Sequence, residues 1–178
     1  MPEAKLGRLV DPAPEGRPAL RDVTKPARLF SGGGGLVSTA TDYLRFCQLM
    51  LSRGELEGAR VLSPETVKLM TTNSLPLGVR FAQDMIGPAA GATWGLGFAI
   101  RTGTGSSVVP GSTRSFVWSG VWATSFWVDP VEQLIAVQMI QVTPEECVPY
   151  RALGDLTYDA LCRRYRDAHW VLGRSALK

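Results

Sequence analysis

The stretch 115–140 restricts the fold more than any other part of this 178-residue chain. Ser115–Trp118, Val121–Val128 (VWATSFWV) and Leu134–Ile140 (LIAVQMI) are dense in aromatic and β-branched residues, which suit a pleated, half-buried surface better than a helix. Asp129-Pro130-Val131-Glu132, between the last two, reads as a hairpin turn, so the stretch predicts an antiparallel meander. Upstream, Trp94–Arg101 (WGLGFAIR) reads as one further strand, separated from the meander by the Gly/Ser loop 102–113.

Helical patterns flank these strands. After Ser31-Gly32-Gly33-Gly34-Gly35, the hydroxyls of Ser38, Thr39 and Thr41 offer N-cap oxygens, and Thr39-x-x-Asp42 has the form of a capping box with a shortened acid. Tyr43, Phe46, Cys47, Met50 and Leu51 then share one helical face, and Gly54 reads as the C′ residue that ends it. Ser63-Pro64-Glu65 starts a second helix running to about Thr72, with Ser as cap and Pro in the first helical position. A closing helix is expected from Pro149 to Trp170, apolar at Leu153, Leu156, Ala160, Leu161 and Tyr165. The whole is an α+β arrangement with no internal repeat. Pro2, Pro12, Pro14, Pro18 and Pro26 make the beginning of the chain an extended segment, which reads as the middle of something longer. The organisation that follows is a Pro-rich segment (1–30), the end of a helical region (31–75), a sheet region with its closing helix (76–170) and a tail (171–178).

Several function classes are closed off. A net charge of +3 on scattered basic residues is a poor match to nucleic acid. No run of about 18 apolar residues is present, so no membrane span is expected. Met1-Pro2-Glu3-Ala4-Lys5 is not followed by an apolar signal core, so the chain as written reads as cytoplasmic. A periplasmic or secreted location would follow from a signal peptide on a longer precursor. Cys47, Cys147 and Cys162 lack C-x-x-C spacing, and the helical settings of Cys47 and Cys162 predict core thiols. The sole histidine, His169, reads as a solvent-exposed helix-end residue and argues against a histidine-built zinc site or a Ser-His-Asp triad. Leu36-Val37 follows the glycine run where a phosphate loop needs Gly-Lys-Ser/Thr, so that run reads as a tight turn. Glu55, Glu57, Glu145 and Glu146 read as solvated surface carboxylates. Neither a metal nor a cofactor is expected.

Three landmarks then fall in order. Gly34-Gly35-Leu36-Val37-Ser38-Thr39-Ala40-Thr41-Asp42-Tyr43, with Phe46 and Met50, opens the first helix. Trp94-Gly95-Leu96-Gly97-Phe98 opens the strand region, and Trp118-Ser119-Gly120 is followed by Thr124-Ser125-Phe126-Trp127-Val128-Asp129-Pro130. Together they resemble the C-terminal part of the serine β-lactamase and penicillin-binding-protein superfamily, on the class C β-lactamase and carboxylesterase side, over roughly residues 30 to 165. The resemblance implies a partial β-lactamase-like fold, with the closing helix packed on an antiparallel sheet beside an N-terminal helix. It also implies acyl-serine chemistry, in which a Ser-x-x-Lys serine is acylated and a Tyr-x-Asn tyrosine helps carry the proton. Trp118, Ser119 and Gly120 would hold the place of the Lys-Thr-Gly third motif, and the Val121 N–H would be an oxyanion-hole donor. Arg114, four residues before the motif, is a candidate contact for a substrate carboxylate.

The departures from the pattern sharpen the expectation. Trp118 stands where a lysine or histidine is expected, which removes a cation and favours ester over β-lactam cleavage. Ser175-Ala176-Leu177-Lys178 is a coincidental Ser-x-x-Lys at the chain's end, and no tyrosine is followed two places on by asparagine. The nucleophile and base are thus absent, and the chain alone is expected to be inert. It reads as the third-motif half of a hydrolase acting on small esters or amides. The alternative is a non-catalytic binding or structural module derived from that fold. With its partner helix missing, an apolar face should be exposed, and self-association is expected.

Overall fold

Thr39 sets the start of the first helix. The computed structural model describes residues 36–77, 91–103, 109–120, 123–140 and 152–163, with residues 26, 30, 32, 79 and 107 singly. In α1 (Ala40–Leu51) the Thr39 hydroxyl accepts the Asp42 N–H at 3.1 Å and donates to the Asp42 carboxylate at 2.8 Å, the expected box in shortened form. Its far end closes differently from expectation. The Gly54 N–H reaches Leu49 O at 2.8 Å and the Arg53 N–H reaches Met50 O at 3.2 Å, a Schellman pair. Arg53, at φ +54°, is therefore the left-handed C′ residue, and Gly54 follows it.

A small hairpin, β1 (Glu55–Leu56) and β2 (Ala59–Arg60), comes next, followed by α2 (Pro64–Met70). Ser63 Oγ caps α2 by accepting the Thr66 N–H at 3.1 Å, with Pro64 in the first turn as expected. Glu55 and Glu57 are solvated, paired at the surface with Arg60 and Arg45.

The main sheet has five antiparallel strands in simple sequential order: β3 (Ala92–Trp94), β4 (Ala99–Arg101), β5 (Phe116–Ser119), β6 (Ser125–Asp129) and β7 (Leu134–Gln138). The expected single strand Trp94–Arg101 is instead a hairpin, with Trp94 opposite Ala99. Two glycines force the reversal. Gly97 takes φ +95°, and a Cβ on Gly95 would lie 2.1 Å from Met70 O and 2.7 Å from Ile100 Cδ1. The apolar run hides a turn because its punctuation is only Gly-Leu-Gly. The expected strand Val121–Val128 begins four residues late, at Ser125, because Gly120–Thr124 turns back on itself.

Period-two alternation assigns the two sheet faces. On one, Ile100, Phe116, Phe126 and Val128 meet Cys47 and Met50 of α1 and Val67 of α2 in a core rich in tilted aromatic contacts. On the other, Ala99, Val117 and Trp127 pack with Val109 and Tyr158. Tyr158 belongs to α3, whose described part is residues 152–163; the expected ends of this helix, at Pro149 and Trp170, lie outside the described residues. Its packing departs from expectation. Gly154 is buried and Tyr158 is inserted, but Leu156 is 63% exposed and Leu153 37%, so these two leucines read as core face outward, while Leu161 is half-buried. Cys162, expected in the core, is exposed, whereas Cys47 is fully buried. The Gly33–Gly35 turn, Cys147, Glu145, Glu146, His169 and Ser175–Lys178 also lie outside the described residues.

Gly95→Ala should cost about 1–3 kcal/mol, because backbone rather than a flexible side chain blocks the new methyl group. Gly103→Ala, with no neighbouring atom within 4 Å, should change stability by less than about 0.5 kcal/mol. Urea unfolding of the two variants checks both; equal midpoints would exclude the close approach.

Candidate functional site

The third-motif residues sit where β5 leaves the sheet. Its register with β4 ends at Ala99 opposite Val117, while its register with β6 continues through Trp118 opposite Phe126 and Ser119 opposite Ser125. Beyond Ser119 the chain closes a tight turn. The Gly120 N–H donates to Thr124 O at 2.7 Å, the Ala123 N–H donates to Gly120 O at 3.0 Å, and Ala123 takes φ +65°. Ser119 and Gly120 are exposed, and Trp118 is half-buried, its ring edge-to-face with that of Trp94 at 4.4 Å between centroids. Because the Gly120 N–H is already bonded within the turn, it is not available to stabilise a developing anion. Val121 lies outside the described residues.

Arg114 is not brought to these residues. It is exposed at φ +76° beyond the opposite end of β5, with its N–H bonded to Arg101 O at 2.8 Å. From Phe116 to Ser119 the strand alone spans about 10 Å.

Asp129, which the sequence presents only as part of a turn, is extensively hydrogen-bonded. Asp129 is fully buried, and Oδ1 accepts the N–H groups of Val131 (2.9 Å) and Glu132 (3.2 Å) while Oδ2 accepts the Ser112 N–H and the Tyr158 hydroxyl, both at 2.8 Å. Burial pushes this carboxyl upward, but the donors from Ser112, Glu132 and Tyr158 outweigh it and hold the group below the ordinary aspartate value. The Asx-turn part of this arrangement has a local signal in Asp-Pro, whereas Tyr158, distant in sequence, has none.

Three other described side chains, Cys47, Tyr43 and Tyr158, are poorly suited to acid–base or nucleophilic work. Burial pushes the Cys47 thiol up to about 12, which leaves it an unreactive thiol at neutral pH. Tyr43 is raised by burial and by Cys47, and Tyr158 by burial and by the Asp129 carboxylate, the opposite of what a proton-accepting tyrosine needs. Among the described residues, no three His, Cys, Asp or Glu side chains gather as metal ligands would, and no helix is long and apolar enough to cross a membrane.

Comparison with known proteins gives these features a family. The β-lactamase family model matches residues 3–157. Two proteins of Mycobacterium tuberculosis, the uncharacterized protein MT1414 (strain CDC 1551 / Oshkosh) and protein Rv1367c (strain H37Rv), are each 37% identical over 124 residues, covering 67% of this chain and 31% of theirs. Among solved structures, EstCE1, a hydrolase with promiscuous acyltransferase activity, matches with a TM-score of 0.58 at 23% identity, covering 79% of this chain and 36% of its own. The chain belongs to the β-lactamase family and has its α+β fold in part. It spans about a third of the length of these relatives.

Asp129→Asn should cost about 1.5–3 kcal/mol at neutral pH, the range for hydrogen bonds to a charged group. Because the folded-state value lies below the unfolded one, this contribution is present above the ordinary aspartate value of 3.8 and is lost as pH falls through the folded value. Denaturant melts of both proteins from pH 7 to pH 3 should therefore converge; a constant gap would show that the carboxylate charge is not what stabilises the turn.

Proposed function

We propose that this chain forms the substrate wall of a serine hydrolase that cleaves small esters, or amides, through an acyl-serine intermediate. One observation carries the reading: in a chain of this family, Trp118-Ser119-Gly120 stands at the exposed end of a central strand, past the last residue that β4 covers. In this reading the Ser119 hydroxyl lines the wall opposite the nucleophile, and the backbone N–H of Val121 helps hold the developing oxyanion. A donor of that kind typically contributes about 10²–10³ in rate. Trp118 places an aromatic ring where a cation would otherwise hold a β-lactam carboxylate, which favours neutral esters. EstCE1, described as a hydrolase with acyl-transfer activity, is consistent with acyl-enzyme chemistry on this fold.

The nucleophile and base are proposed to come from a Ser-x-x-Lys and a Tyr-x-Asn in a further portion of the fold, on the same or a partner polypeptide. The outward Leu153 and Leu156 of α3 suit a face that such a portion covers, and on its own the chain is expected to self-associate.

The purified chain should turn over neither p-nitrophenyl butyrate nor a chromogenic cephalosporin, and should gain no mass from a fluorophosphonate serine label. Adding the remaining, unmatched part of Rv1367c should yield ester turnover, with one label on the added polypeptide. Turnover by the chain alone with a stoichiometric adduct would overturn the proposed division of roles. Silence after complementation would favour the non-catalytic module.

A further inference from the structure

Trp118 has a fixed neighbour. Trp94 ends β3, and the two indoles meet edge to face with their planes at 73°. Both are half-buried, so part of each residue remains accessible. The backbone around Trp94 is tied down from two sides. The Ser74 N–H donates to Trp94 O at 2.8 Å, and the Leu96 N–H donates to Met70 O at 3.0 Å, anchoring the β3–β4 hairpin to the end of α2. Thr93 adds a side-chain hydrogen bond to Asn73. Trp118 is placed differently, one residue before the exposed Ser119 and two before the turn that takes β5 out of the sheet. Across the sheet it faces Phe126, and its β4 flank lies beyond the last registered pair. An anchored ring thus stands edge-on against one near the end of its strand support.

Resting on the reading above, we propose that Trp94 is a positioning residue that holds the Trp118 ring, and that the pair forms a subsite for the apolar acyl or alcohol group of a neutral ester. An aromatic face carries partial negative charge and welcomes C–H groups. A carboxylate set against it would lose water without gaining a partner. The pair therefore selects against acidic substrates as well as for apolar ones.

The test uses the whole chain and needs no turnover. Each of the five tryptophans gives an indole N–H signal in a nitrogen-15 spectrum, assignable by single Trp→Phe substitutions. Phenyl butyrate should shift the Trp94 and Trp118 signals together, while benzylpenicillin should move neither. In Trp94→Phe and, more strongly, Trp94→Leu, the Trp118 signal should move before any ligand is added, and the affinity for phenyl butyrate should fall at least threefold. A cooperative urea unfolding transition like that of the wild type would show that the variants are folded. If phenyl butyrate shifts neither indole, or if both folded variants keep the Trp118 position and the wild-type affinity, the proposal is overturned. Failure of complementation with the pair's binding intact would instead remove the serine-hydrolase reading and leave the subsite standing.

Discussion

Because every residue of β6 from Ser125 to Asp129 is buried, both faces of the sheet need cover, and the chain supplies two kinds. Phe126 and Val128 are covered by α1, whose Cys47 and Met50 sit at helical spacing on one face and add ordinary apolar burial. Trp127, on the other face, is covered by the 109–112 loop and by Tyr158 of α3. That second cover is held by a single charge. Asp129 at the end of β6 accepts from the loop, from its own turn and from α3, so one carboxylate joins three segments distant in sequence. Its burial would be costly without those donors, and with them it fixes where the loop and the helix sit.

The fold was legible where the physics is local. Thr39 and Ser63 announced their helices because cap hydrogen bonds lie within three residues, and β5, the 129–132 turn and the start of β7 followed from composition and turn chemistry. Legibility failed where a long-range contact decided. WGLGFAIR reads as a strand until Met70 O approaches Gly95, and α3 reads as packed through its leucines until Gly154 and Tyr158 prove to be its buried side. Cys162 is exposed for the same reason, since apolar periodicity cannot say which side of a short helix meets the sheet. At the candidate site, the identities of Trp118, Ser119 and Gly120 were readable, but their setting was not. Neither the end of β4 pairing at Val117 nor the turn that occupies the Gly120 N–H has a sequence signature. Arg114 is close to the motif in sequence, and the extended strand Phe116–Ser119 runs between them.

These placements limit what the chain can contribute chemically. A nucleophile must be both accessible and activated, and Cys47 is neither, buried with its thiol raised, while Cys162 lies exposed on α3. Tyr43 and Tyr158 are raised rather than lowered, and the Asp129 charge is fully used by structural donors. What the proposed site offers is fixed geometry: a strand end, a hydroxyl and an aromatic pair. Such a wall accelerates a reaction only insofar as it binds the transition state better than the substrate. In the proposed enzyme that preference would come from backbone donors held in place by the same sheet that Asp129 locks, so the stability of the turn and the precision of the wall are one physical problem.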